Sequence, residues 1–389
     1  MSERQGILSD GQRQAGAILA GLGGAAFFAA YRGDTGRAWA NLLLSNVYWS
    51  WICGAALVFT AVQFVSKAGW SAGFRRIPEA MAAALPVGLI LFVPLFFGLH
   101  DLYHWSHAEV VAKDAILAGK SSYLNEGGYR LRTVLAFAAW IAFAFALRRL
   151  STAQDADGDA GHTRRSVGVS AALLVVFAAT FTYSSVDWLM SLEPHWMSTI
   201  YPWYCFSGVF VAAIACIVLI LSGLKRRGLL HEIGGPHFHD LGKYLFAFSV
   251  FWGYLWFSQY LLIWYSNIPE ETVHYAARLS EGWGPVFWAN PVVNLLIPCV
   301  LLLSARSKRP GKKMVLAAVV ILGGRYLDFY QLVMPPLAHG TGPHFGWQEV
   351  LIFAGVGSSF LLAADRAFRS EDAIPGRDPY LVESLSVGH

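Results

Sequence analysis

Residues 240–271 read DLGKYLFAFSVFWGYLWFSQYLLIWYSNIPEE, and the 26 residues between Lys243 and Glu270 carry no charge. At ~1.5 Å rise per residue such a helix is longer than a ~30 Å hydrocarbon core, so it is expected to span a membrane. It is not plain lipid filler. Trp252, Trp256, Gln259 and Tyr260 recur at helical spacing and form an aromatic, polar face suited to protein, water or a flat ligand. Asp240 and Lys243 precede the run, and Glu270 and Glu271 follow it, so both ends offer groups that exchange protons.

The rest of the chain fits that reading. Of 389 residues, 56% are hydrophobic and 14% charged, outside the range of ordinary soluble domains. The opening MSERQGILSDGQRQ leads into an apolar run that reads as a retained first span rather than a cleaved signal peptide. All four cysteines lie in apolar runs, and none forms CxxC or CxxCH. That spacing argues against a zinc or iron–sulfur site and against covalent haem, and disulfides are not expected. The twelve histidines fall in loops, tails or span ends, whereas a haem held between helices needs paired histidines near mid-span. Neither a Walker loop nor a Rossmann glycine pattern is present. The chain is therefore expected to carry no metal and no redox centre of its own, and any electron transfer would pass through a bound quinone and a partner. A net charge of +4 calls for no nucleic acid.

Hydropathy divides the chain into ten spans, at roughly 12–31, 40–66, 78–99, 131–147, 166–190, 197–222, 242–266, 286–304, 314–334 and 346–364. The fold class is thus an all-α integral membrane protein. An even count puts both termini on one side. The termini and the loops on their side carry twenty Lys and Arg, against seven on the opposite side. This bias predicts cytoplasmic termini in a bacterial cytoplasmic (inner) membrane. The segment 151–163 reads as a mobile polar linker, and the tail from Ser370 as loosely held. Asp187-Trp188 with Pro194, and Asp328-Phe329 with Pro335, share one spacing, as do Trp51-Ile52-Cys53 and Trp203-Tyr204-Cys205. These offsets suggest a parallel duplication. The expected organisation is a flanking helix in 1–39, a four-helix bundle in 40–190, a second in 191–335, and a last flanking helix with its tail in 336–389.

Ionisable groups inside a bilayer are costly and point to function by default. Arg325 and Asp328 share a helix face at i and i+3, and read either as a buried structural pair or as a proton relay. Asp187 has Ser184 where the other repeat has Arg325, and a lone buried carboxyl suits proton uptake or release. Glu193 and His195 lie in the outer turn, with His274 in the same layer, and can pass protons or form a salt-bridged turn. Asp240 and Lys243 mark a cytoplasmic mouth, or no more than a helix start. Gln259 and Tyr260 are expected to face Arg325 and Asp328. The outer stretch HDLYHWSHAE supplies His100, Asp101 and His104 as weak candidates for quinone contact.

The stretches SLEPHWMSTIYPWYCFSG (191–208) and 240–271 resemble those of the F subunit of bacterial alternative complex III, within the wider NrfD-like, polysulfide-reductase-type membrane family. Met197 and Pro202 depart from that pattern, and Pro202 is expected to alter the start of the sixth span. The resemblance is specific over about 190–275, and the ten-span layout extends it. It implies two four-helix bundles and a place in a quinol:electron-acceptor oxidoreductase. The implied partners are a homologous NrfD-like membrane subunit, an outer-face iron–sulfur subunit, c-type haem subunits and lipids. Haem and iron–sulfur clusters would belong to those partners, and a quinone or menaquinone to the membrane pair. Within such a complex the expected contribution of this chain is scaffold and proton route, with quinone contact secondary. The alternatives are the quinone-reactive anchor of another NrfD-type oxidoreductase, or a secondary transporter. The spans lack the Gly/Pro-interrupted pairs that a transporter would need.

Overall fold

A computed structural model of the chain describes residues 5–338 and 340–386. Arg4, one of the cations counted above, lies outside them. Among the described residues there is no strand. Ten helices are long and apolar enough to cross a membrane. They are α1 (Asp10–Gly33), α2 (Thr35–Val65), α3 (Arg76–Leu95), α4 (Glu126–Asp157), α5 (Gly161–Trp188), α6 (Tyr201–Arg226), α7 (Gly235–Ser266), α8 (Gly284–Leu302), α9 (Lys312–Leu337) and α10 (Trp347–Arg369). The protein is an all-α, multi-pass membrane protein. Both termini lie at one end of the helices, the terminus face; the other end is the distal face.

Local chemistry sets the helix ends. Ser9 and Gln12 form a reciprocal capping box that starts α1. Asn125 caps α4 through the Gly128 amide. Pro202 sits in the first turn of α6, where a missing N–H costs nothing, so it fits the helix start rather than distorting it. Asn267, at φ 48°, ends α7 in the left-handed region before Pro269 opens a short surface helix, Pro269–Leu279.

Packing closes two rings of four. In one, α2 touches α3 and α5, and α4 completes the ring; in the other, α6 touches α7 and α9, and α8 completes it. The rings meet along α2 and α6. Each of these helices is buried round most of its circumference, which explains why both are apolar all round instead of on one stripe. Outside the rings, α1 and α10 pair with each other against α2 and α3. Their contact is close because Gly23 faces Gly355, and a Cβ on Gly23 would lie 2.6 Å from the Gly355 Cα.

Three expectations need correction. The segment 151–163 is not a mobile linker: α4 runs to Asp157, turns at Gly158 (φ 76°), and α5 begins at Gly161. Gln154 accepts a hydrogen bond from Thr163 across the turn at 2.9 Å. Nor is the tail loose. Asp378 pairs with Arg75, and the Ser384 hydroxyl donates to the Trp70 carbonyl and accepts from the Gly73 amide. The third concerns the repeat. Trp51 is fully buried against Trp188 and Phe329, whereas Trp203 is 62% exposed, so those two tryptophans do not play equivalent roles.

Candidate functional site

Near the middle of α9, the Asp328 carboxylate collects one donor from each helix of the second ring. Asn290 Nδ2 on α8 donates to Oδ1 at 2.7 Å, and the Tyr204 hydroxyl on α6 donates to the same oxygen. Trp252 Nε1 on α7 and Arg325 Nη1 on α9 both donate to Oδ2, each at 3.2 Å. The Arg325 guanidinium also lies 3.9 Å above the Trp252 ring, so its face is held as well as its edge. Gly208 makes the room: a Cβ there would approach Arg325 Nη1 to 2.8 Å. Burying two charges is costly unless the remaining polar atoms are satisfied, and this arrangement satisfies the carboxylate fully.

The backbone of α8 is shaped for this contact. Residues Val292–Leu296 form a π-helical turn after Pro291. Such turns re-aim side chains within an otherwise regular helix. Here Asn290 and Asn294 both reach α9, with Asn294 Nδ2 donating to the Gly324 carbonyl at 2.8 Å and to Asn290 Oδ1 at 2.5 Å. Arg325 Nε, Asn294 Oδ1 and Gln331 Nε2 are buried without a protein partner. Buried polar atoms of this kind are ordinarily satisfied by ordered water.

A second cluster lies at the distal face. Arg278 grips Glu193 with two bonds of 3.0 and 2.8 Å, and His274 Nδ1 donates to Glu193 Oε2 at 2.7 Å. Trp196 stacks on the His274 ring, centroids 3.9 Å apart and nearly parallel. Burial lowers His274 to about 4, aided by the Arg278 charge and resisted by Glu193. For Glu193, burial favours the neutral acid, but its basic neighbours outweigh that and hold it at about 2. The cation responsible near neutral pH is Arg278, because His274 is uncharged above about pH 4.

Arg278 has a further task that explains its position. Pro335 and Pro336 lie inside the last turns of α9 and have no N–H, so the carbonyls of Gln331 and Leu332 lose their helical donors. Arg278 supplies both, at 3.0 Å from Nε and 3.4 Å from Nη2. Gln331 Oε1 in turn accepts from Asn290 at 3.3 Å. Residue contacts therefore link Glu193 through Arg278, Gln331 and Asn290 to Asp328, entering Gln331 at its backbone carbonyl and leaving at its side-chain oxygen.

The other expected residues fall elsewhere. Asp187 is not lone: Arg132 of α4 holds it at 2.7 and 3.1 Å. Gln259 and Tyr260 do not meet Asp328. Gln259 accepts from Ser198, and Tyr260 packs against Trp256 and Tyr275, while Trp252, two turns away on the same face, makes the contact. His195 is exposed and bonds Asp114 at 2.5 Å, fastening the loop before α4 to the turn between α5 and α6. Asp240 and Lys243 pair with each other at the terminus face. Twelve residues separate Asp240 from Trp252, ~18 Å along the helix, and the buried α7 residues between them are mostly apolar, among them Leu241 and Leu245.

The three quinone candidates do not share one pocket. His100 and His104 are exposed; His100 bonds Ser106 and pairs with Glu126. Asp101 borders a cavity of about 280 Å³ at the distal face that also touches Asp34 and Arg37. Trp283, Tyr330, Met334 and Leu337 line the same cavity, so of the three candidates only Asp101 borders an aromatic, partly apolar space of the kind that takes a flat ring. Among the described residues, no group of three His, Cys, Asp or Glu is placed to hold a metal.

Arg132, Tyr204, Arg278 and Asn290 hold Asp187, Glu193 and Asp328 and are not singled out by the sequence reading. Only Arg132 and Arg278 carried a sign, as cations flanking spans on the side poor in positive charge. No protein-family model matches the chain, and no curated protein matches it.

Proposed function

We propose that this chain is an integral membrane subunit of a respiratory quinol:electron-acceptor oxidoreductase of the alternative complex III type. In this reading it is scaffold and proton-conducting half-channel, and the partners carry the haem and iron–sulfur chemistry. The stretches 191–208 and 240–271 support the placement by resemblance. The terminus face is cytoplasmic in this reading, on the strength of the Lys and Arg bias.

The observation that supports a proton route is the line of polar residues from Glu193 to Asp328 together with the buried, unpartnered Gln331 Nε2 and Arg325 Nε beside it, where ordered water would carry the proton past the guanidinium and amides. It opens the route toward the distal face. Asp328 is the proton-holding group at mid-depth, Tyr204 and Asn290 orient its oxygens, and Arg325 balances its charge. Glu193 and its neutral donor His274 mark the distal end of the route. Moving one charge against ~100 mV costs about 2.3 kcal/mol, which quinol oxidation in the partner subunits has to provide.

The test is Asp328→Asn in the purified complex reconstituted into liposomes. The amide keeps the shape but holds no proton. Protons moved per electron fall while haem and iron–sulfur spectra stay intact. Full turnover with unchanged proton stoichiometry sinks the relay; a chain that purifies alone and colourless sinks the complex.

A further inference from the structure

Both α6 and α10 lie on α2, yet the two share no extensive packing surface. The gap between them is a cleft of about 490 Å³. Its floor includes Ile52 and Cys53 of α2, and Ile7 and Leu8 cap it at the terminus face. On α10 it runs from Ala354 to Ala364, ten residues or ~15 Å. That is half of a ~30 Å hydrocarbon core, the depth of a single leaflet.

The mouth carries a positive excess. On α6, Cys216, Leu219, Ile220 and Gly223 line the cleft at helical spacing, and Arg226 and Arg227 continue that same face. Arg227 donates to the carbonyls of Gly6 and Ile7 at 2.6 and 2.7 Å, which places its guanidinium at the cap. Arg13 follows the lining Gln12, and Arg369 lies just beyond the lining stretch of α10. Two carboxylates share the area and both are engaged: Asp10 pairs with Arg13, and buried Asp365 binds the Leu8 amide and Arg369. Four guanidinium groups thus stand against two acids, with Arg226 exposed.

We propose that this cleft binds one anionic phospholipid of the terminus-side leaflet, an acyl chain in the groove and the phosphate against Arg226. The one-leaflet depth selects a bilayer lipid, and the cationic mouth selects an anionic headgroup. The site is independent of the Asp328 network and of any quinol chemistry.

Native mass spectrometry of the full-length chain, taken from nanodiscs of phosphatidylglycerol and phosphatidylethanolamine, tests this. Gly223→Trp fills the mouth without a clash at its root, because a Cβ there meets nothing within 4 Å. Gly24→Trp, on an exposed face of α1 with equally open space, is the control. The wild type and the Gly24 variant retain one phosphatidylglycerol per chain, and Gly223→Trp loses it. Arg226→Gln weakens retention of phosphatidylglycerol about fivefold and leaves phosphatidylethanolamine unchanged. Equal retention in Gly223→Trp, equal loss in the control, or recovery of a quinone from the cleft overturns the proposal. The quinone outcome has a marker, since Trp49 Nε1 at the deep end has no acceptor among the described residues and suits a ring carbonyl.

Discussion

His274 makes the distal cluster acid-sensitive, and the size of the effect follows from its surroundings. Its ordinary value is 6.5; burial, then the Arg278 charge, brings it to about 4 in the folded chain. Above pH 6.5 the ring is neutral whether the chain is folded or not, and it contributes no pH dependence. Between 6.5 and about 4 the unfolded chain takes up a proton that the folded one excludes, so stability falls as pH falls. At about 1.4 kcal/mol for each pH unit crossed, the loss amounts to ~3 kcal/mol by pH 4. Glu193 acts in a lower window. Its folded value is about 2 against an ordinary 4.5, so its stabilisation is complete above pH 4.5 and disappears as pH falls through 2. Thermal melting of the purified chain at pH 7, 6, 5 and 4, followed by tryptophan fluorescence, reads the effect, and Trp196 stacked on the ring is a local reporter. His274→Gln keeps a donor for Glu193 and removes this titration, so its stability falls by ~3 kcal/mol less than the wild type's between pH 6.5 and 4. A flat wild-type profile, or the same fall in the variant, would refute the assignment.

Two further outcomes test the packing. Arg132→Gln strands Asp187, which is 1% exposed, without its cation, and is expected to cost ~3–5 kcal/mol. Adding Asp187→Asn recovers most of that loss in the same melting experiment, since no unpaired charge remains. Asp378→Ala leaves Arg75 buried without its acid and frees the tail. Limited trypsin digestion then cuts after Arg377 faster than in the wild type, and an unchanged rate shows that the Ser384 contacts alone hold the tail.

How much the sequence revealed depended on how far apart the partners lie along it. The spans were legible because apolar runs of this length have few other readings, and Arg325 with Asp328 was legible because i and i+3 share a helix face. Asp187 was misread for the opposite reason. Its partner Arg132 is 55 residues earlier on a neighbouring helix, and the empty place at Ser184 looked like solitude. On α7 the face was right and the depth wrong: Trp252 and Gln259 point the same way, but only the former is level with Asp328. The stretch 151–163 has loop-like composition, yet only 158–160 leave the helices, since Arg76 and Thr163 hold the polar residues around them. Asn290 gave no sign at all, because a neutral amide in an apolar run acquires meaning only when a π-turn aims it.

A proline pair inside a helix is usually counted as a weak point. In α9 it behaves as a socket, because the two carbonyls it leaves open are filled by a side chain from the surface helix Pro269–Leu279. The last turns of α9 and that surface helix are thus mechanically one piece. Asp328 stands three residues from Gln331, less than a turn away. The stretch of α9 that carries the buried acid is therefore tied to the distal surface by side-chain bonds as well as by its own helix.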